Sequence, residues 1–174
     1  MLETAEHARA RGAAALAEIA GVGFLLDGHA ASEPSAIGEA SAMRQALDHA
    51  RASAAEVDYV NAHGTGTPAG DEAECEAIEA VFEGLAGPRV NSTKALAGHT
   101  VYAAGIVELI ATVVQMKGGF VHGIPGMAEP VSTRLRLVGG AAEPARIALA
   151  LSNSFSIGGI NTCVAVRNLS AEAA

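Results

Sequence analysis

Tryptophan is absent from this 174-residue sequence, and the other large aromatics are two tyrosines and four phenylalanines. A core must therefore come from alanine, valine, isoleucine and leucine. With 50% hydrophobic residues, 20 glycines and only 17% charged residues, the composition describes a tightly packed chain with many close turns and argues against disorder over most of it. Basic residues are scarce as well: 11 Lys and Arg stand against 19 Asp and Glu, a formal net charge of -8. Nucleic-acid binding draws most of its affinity from cations that neutralise phosphates, so DNA, RNA and anionic membranes are poor partners. No uninterrupted run of about eighteen apolar residues occurs, so no membrane span is expected, and the start Met1-Leu2-Glu3-Thr4-Ala5-Glu6 is too acidic for a signal peptide. The expected compartment is the cytoplasm. Only two cysteines are present, Cys75 in an acidic helical stretch and Cys163 in an apolar strand-like stretch. Their spacing suits neither a zinc site nor a disulfide framework, so both read as ordinary thiols and no metal is expected.

What is present is an alternation of short β-like runs with helical stretches, over a length that fits one domain, taken as residues 1–174. The alternation predicts an α/β fold. Residues 14–27 read as one or two strands, followed by a polar loop to about 38. Met43, Ala46, Leu47 and Ala50 recur at helical spacing, predicting a helix over 39–52. A strand over 57–62, a helix over 69–85 opened by Asp71 and Glu72, and a strand over 90–93 come next. An almost wholly apolar helix is predicted over 101–117, buried between layers because it is apolar on nearly every face. Strands over 147–152 and 162–167 flank Gly158-Gly159, which permits a sharp hairpin turn.

Three segments place reactive residue types just after a strand, at the lip of the sheet where open α/β folds bind their ligands. They are Asn61-Ala62-His63-Gly64-Thr65-Gly66-Thr67-Pro68, Asn91-Ser92-Thr93-Lys94 with Gly98-His99, and Asn153-Ser154-Phe155 with Gly158-Gly159. Singly none decides anything, since a lone histidine beside glycine ordinarily caps a loop. Together, VDYVNAHGTGTPAGDEAE, STKALAGHTVYAAGIVE and SNSFSIGGIN resemble the three C-terminal signatures of β-ketoacyl synthases. The opening LETAEHARARGAAALAEIAGVGFLLD also looks like the start of that family's second half, so the resemblance covers nearly the whole chain.

The resemblance implies one thiolase-like half with βαβαβαββ order, a mixed sheet carrying helices, completed to a five-layer fold by a similar partner half. It implies a decarboxylative Claisen condensation, in which malonyl-carrier loses carbon dioxide and attacks an acyl chain held on a cysteine. By position, His63 and His99 correspond to the family's two catalytic histidines, Lys94 to its lysine and Glu108 to the acid that this lysine pairs with. A dry pocket must stabilise the thioester enolate, and two neutral imidazole N–H groups suit that task. A helix starting near Val101 would favour the neutral form of His99. Thr65 and Thr67 are implied contacts for the phosphopantetheine arm of an acyl carrier protein, with no bound cofactor besides. Asn153, Phe155, Ile157, Gly158 and Gly159 are implied supporting residues, the last four lying within the family's gate. His7, His29, His49 and His122 match no motif and read as surface or packing residues.

The sequence also departs from the family. Its nucleophilic cysteine belongs to the first half and has no counterpart here; Cys75 and Cys163 are not substitutes. The gate, FGFGG in relatives, reads Phe155-Ser156-Ile157-Gly158-Gly159, and Tyr102 replaces a small residue beside His99. The leading expectation is a split enzyme, with Met1 at the seam between halves and a separate polypeptide supplying the cysteine. Such a chain would condense nothing alone. Its partners would be that half and an acyl carrier protein, in a hetero-oligomer that is either a dimer of complete units or a ketosynthase and chain-length-factor pair. The alternative is a non-catalytic ketosynthase-like scaffold or chain-length factor, against which the retention of both histidines counts.

Overall fold

The computed structural model describes residues 1–29 and 32–169, so the loop expected to about 38 and the domain assigned to 1–174 both extend outside the described residues. A short helix α1 (Ala5–Ala10), capped by the Thr4 hydroxyl on the His7 N–H (3.1 Å), precedes β1 (Glu18–Leu26). Helix α2 (Ala36–Ala50) starts earlier than its apolar spacing suggests, because Ser35 accepts the Gly38 N–H (3.2 Å) and ends the preceding loop. Then come β2 (Tyr59–Asn61), α3 (Pro68–Val81) with proline in its first turn, and β3 (Arg89–Asn91). A four-residue helix α4 (Lys94–Ala97) and a 3-10 turn (Val101–Ala103) lead into α5 (Ala104–Gly118). Short strands β4 (Phe120–Val121), β5 (Arg136–Leu137) and β6 (Glu143–Pro144) precede β7 (Leu149–Ser156) and β8 (Ile160–Arg167).

The main sheet is mixed and runs β1-β8-β7-β2-β3-β5. Strands β7, β2, β3 and β5 are parallel, while β8 lies antiparallel to β7 and β1. Strands β4 and β6 pair separately. The hairpin turn is tighter than expected: β7 runs on through Phe155 to Ser156, opposite Ile160, and only Ile157, Gly158 and Gly159 remain outside the ladder. Both glycines adopt positive φ, 90° and 73°, as such a turn requires.

Alternation along the strands divides two cores. Val60, Leu149, Leu151, Cys163 and Ala165 face α2 and α3, whereas Tyr59, Ala150 and Val166 face the other side, with Met116 of α5. On the first side α2 lies directly on β1. A Cβ at Gly23 would meet Ala42 O at 1.9 Å and one at Gly21 would meet Ala46 O at 2.1 Å, so only glycine permits this approach.

The second side corrects two expectations. Helix α5 is not buried between layers: its buried residues are Ala104, Glu108, Thr112, Gln115 and Met116, while Ile106, Ile110 and Val114 are 47%, 58% and 54% exposed. The helix turns its polar stripe to the sheet and leaves an apolar one outside, alongside exposed Val22, Phe24 and Leu26 of β1. Moreover, the segment Val101–Gly118 is long and apolar enough by composition to cross a membrane, with 28% of it buried. Scanning for unbroken apolar runs missed this, because Glu108, Gln115 and Lys117 interrupt the run without making the stretch polar on average.

Candidate active site

The site is assembled at the C-terminal ends of β2 and β3. Asn61, fully buried at the end of β2, accepts the Thr93 N–H and hydroxyl on Oδ1 (3.1 and 2.7 Å), which joins the loops after the two strands. The loop carrying His63 folds back over α3. Glu74 receives the His63 N–H on Oε1 (2.8 Å) and the Gly64 N–H on Oε2 (2.9 Å), and Asp71 Oδ1 receives the Gly66 N–H (3.1 Å). Gly64, at φ 43°, lies so near Ser92 that a Cβ would fall 2.6 Å from that side chain. Asp71 was expected to serve only the helix dipole; together with Glu74, one turn on, it holds the loop. Glu74 went unrecognised in the sequence, although its three-residue spacing from Asp71 puts both on one helix face.

Lys94 opens α4 and is buried. Its Nζ pairs with Glu108 on α5, donates to His63 O (2.5 Å) and lies 3.2 Å from His63 Nδ1. An ammonium can only donate, so Nδ1 of His63 is the acceptor and the imidazole proton resides on Nε2. Burial, then the charge of Lys94, then His99 hold the His63 pKa down to about 3, which keeps the ring neutral. Burial pushes the Glu108 carboxyl upward and the Lys94 ammonium opposes it.

His99 is fixed by a different device. Its Nδ1 accepts the Val101 N–H (3.1 Å), so its proton also resides on Nε2. Val101 achieves this at φ 52°, a left-handed conformation that is strained for a β-branched residue. The regular helix expected to act on His99 begins only at Ala104, and the 3-10 turn makes the contact instead. The two imidazoles meet edge to face with centroids 5.8 Å apart, and Phe155 packs against His63, also at 5.8 Å.

Thus His63, His99, Lys94, Glu108 and Phe155 are brought together. Thr65 and Thr67 share a hydroxyl contact (3.2 Å), Thr65 half-buried and Thr67 exposed. Asn153 is buried and donates from Nδ2 to Glu74 Oε1 (3.0 Å), so it braces the histidine loop from behind. Ile157, 76% exposed, and Gly158 stand at the open tip of the hairpin, while Gly159 is buried. A cavity of about 470 Å³ adjoins the loops, lined by Thr65, Asp71, Cys75, Lys94, His99 and Met127 among others. A wider depression of about 590 Å³ around Arg89, Lys117 and Arg146 lies at the opposite end of the strands, away from both histidines. Cys75 has its thiol pushed up to about 12 by burial and nearby carboxylates, and burial likewise raises Cys163, so neither supplies a thiolate at neutral pH. Of the histidines without a motif, His122 is buried beneath the site, its N–H on Gln115 Oε1 (2.9 Å). Among the described residues no group of three or more His, Cys, Asp or Glu is arranged to hold a metal ion.

A family model described as beta-ketoacyl synthase, C-terminal domain, matches residues 16–127. Nodulation protein E of Rhizobium sp. (strain N33) is 40% identical over 171 residues, 97% of this chain and 42% of that protein. The polyketide biosynthesis malonyl-ACP decarboxylase PksF of Bacillus subtilis (strain 168) is 37% identical over 169 residues, covering 97% and 40%. The 3-oxoacyl-[acyl-carrier-protein] synthase I, chloroplastic, of Arabidopsis thaliana is 38% identical over 168 residues, covering 95% and 36%. Among solved structures, the ishigamide ketosynthase/chain length factor superposes with a TM-score of 0.90 at 34% identity, over 95% of this chain and 41% of that one. A type II polyketide synthase ketosynthase in complex with its acyl-carrier protein, AntDE:AntF, gives 0.88 at 30% identity, over 96% and 42%. The chain therefore spans about two fifths of the length of these relatives.

Proposed function

Because the chain belongs to the β-ketoacyl synthase C-terminal domain family, we propose that it is the half of a condensing enzyme that supplies the His63, His99 and Lys94 part of the active site. The cysteine comes from an N-terminal half, in the same or another polypeptide. An acyl carrier protein delivers malonate on its phosphopantetheine arm, as the acyl-carrier complex among the structural relatives suggests. The acyl chain waits as a thioester on the partner's cysteine. Malonyl-carrier loses carbon dioxide, the enolate carbon attacks the acyl carbonyl, and the cysteine thiolate leaves.

One observation carries this reading. Both imidazoles have Nδ1 engaged as an acceptor, by Lys94 and by the Val101 N–H, which leaves two neutral Nε2–H donors on rings 5.8 Å apart. Such a pair is suited to an enolate oxygen. Lys94 acts on His63 and is itself neutralised by Glu108, so its role is to position and to set the tautomer. Exposed Leu96, Val101 and Tyr102 border the His99 loop and continue the apolar face of α5, as expected for surface that the cysteine-bearing half covers. Thr65 and Thr67 are assigned to the carrier arm, and Ile157 with Ser156 to the gate, where they tune which acyl chains enter.

The test uses the chain together with a cysteine-bearing half. His63→Ala and His99→Ala are each expected to lower malonyl decarboxylation by about a hundredfold or more, while acylation of the cysteine changes little. Carbon dioxide release and mass spectrometry of the acyl-enzyme separate the two steps. Equal loss of both would overturn the assignment.

A second reading, a malonyl decarboxylase or chain-length-factor subunit that condenses nothing, is favoured by the relatives bearing those names. The residue at the nucleophile position of the other half decides between the readings. Cysteine there supports condensation, and Gln, Ser or Gly supports the second.

A further inference from the structure

The main sheet ends in two unlike edges. At one end stands β5, two residues long, with Arg136 paired to Glu143 (3.2 Å). At the other stands β1, nine residues long and hydrogen-bonded to β8 on one side only. Short strands and charged side chains blunt an edge, whereas a long apolar one is a template for pairing with another chain. Strand β1 reads EIAGVGFLL, with a single charged residue, Glu18, at its start. Val22, Phe24 and Leu26 are 45%, 59% and 64% exposed.

Two side chains of α2 close that edge. Gln45 accepts the Phe24 N–H on Oε1 (3.2 Å), and His49 accepts the Val22 N–H on Nδ1 (3.2 Å), an atom that also lies 3.3 Å from Val22 O. In an antiparallel ladder a residue turns its N–H and C=O to the same side, so His49 stands where the next strand would exchange both bonds with Val22. The spacing matches, because residues four apart on a helix rise about 6 Å and alternate strand residues are about 7 Å apart. Gln45 and His49 each precede an alanine that rests on the glycines of β1: a Cβ at Gly21 would meet Ala46 O at 2.1 Å and Ala50 N at 2.7 Å. That close seat brings the two longer side chains down to the strand. The ladder carries one more interruption, a register shift between Ile19 and Gly21 that leaves Ala20 with no residue opposite. Both Gln45 and His49 are exposed, so core packing does not account for them.

We propose that Gln45 and His49 are edge caps that keep β1 from pairing with β1 of a second copy of this chain. Self-pairing is the association this edge invites, because two antiparallel copies about a twofold axis set apolar residues against apolar ones. The strand's one charge sits at its end, so no like charges meet in the middle. With the edge capped, association is left to the apolar stripe of α5, and so to a different partner. Strands β8 and β7 separate β1 from β2, which leads into the His63 loop, so the caps and the chemistry proposed above can fail separately.

Residue-resolved amide exchange and sedimentation of the 174-residue chain, with any half that co-purifies, test this. In Gln45→Ala/His49→Ala the Val22 and Phe24 amides should exchange about tenfold faster in dilute solution. As concentration rises, the variant should self-associate and regain protection across residues 20–26, while the native chain keeps one exchange pattern there at every concentration. A variant that frees both amides yet associates no more than the native chain overturns the proposal, as does new association that protects only residues 104–118. Unchanged amides in the variant overturn it too. If the double variant does not fold, the single ones decide. Gln45→Ala should free only Phe24 and His49→Ala only Val22, each with weaker association through β1, whereas His49→Gln, which keeps an acceptor, should behave as the native chain. Failure of both alanine variants to associate overturns the proposal.

Discussion

The two faces of the sheet are finished in opposite ways. Under α2 and α3 the contact is close and dry, made of Gly21, Gly23, Ala42, Ala46 and a layer of Val, Leu and Ile. Under α5 the contact is polar: Lys94 and Glu108 pair there, and Gln115 donates to the Tyr59 hydroxyl (3.0 Å), which in turn donates to Asn91 Oδ1 (2.5 Å). The apolar stripe of α5 is left facing outward. An inward polar network is costly unless every member is satisfied, so its presence beneath the histidines marks the face where chemistry shapes the sequence. The closed face is the platform, and the α5 face combines the buried support of the histidine loop with an uncovered apolar stripe.

Removing one partner of the buried pair should have the largest effect on this contrast. Glu108→Ala leaves the Lys94 ammonium buried without its counter-ion and is expected to cost about 3 to 5 kcal/mol in denaturant unfolding. A loss under 1 kcal/mol would mean that the α5 face is wetter than its burial suggests. A smaller loss is expected on the closed face. In Gly23→Ala the new methyl meets the Ala42 carbonyl, so α2 must shift, at about 1 to 3 kcal/mol in the same assay. Tolerance there would show that the glycines are not what sets the helix-to-strand distance. The smallest effect on stability should come from the outer stripe. Ile110→Lys is expected to change the chain's own stability by less than about 0.5 kcal/mol while abolishing capture of a cysteine-bearing half in pull-down. Strong destabilisation of the chain alone would show that Ile110 already packs within it.

The same contrast explains what could be read in advance. Strand positions on the closed face follow the period of two, and the three polar segments at the strand ends stand out because they cluster at one lip of the sheet. Helix α5 misleads because apolar content predicts burial only when the solvent-facing side is polar, and here the outward side is apolar. Glu74 was not identified in advance, and Asn153 was expected as a supporting residue but not as the brace of the histidine loop, since these bonds join residues 10 to 79 positions apart. Ile157 could be placed in the gate by motif, but its exposure at the hairpin tip depends on how far the β7–β8 ladder runs.

Order of elements, hairpin chemistry and the identity of the histidine and lysine segments were determined by the sequence alone, because propensity, turn residues and motif spacing act over a few residues. Which imidazole nitrogen carries the proton, which carboxylates hold the loops, and which face of α5 meets the sheet were decided only in the tertiary structure. Those outcomes depend on burial and on donors brought together from distant segments, and the strength of such contacts is set by the surroundings they meet in space.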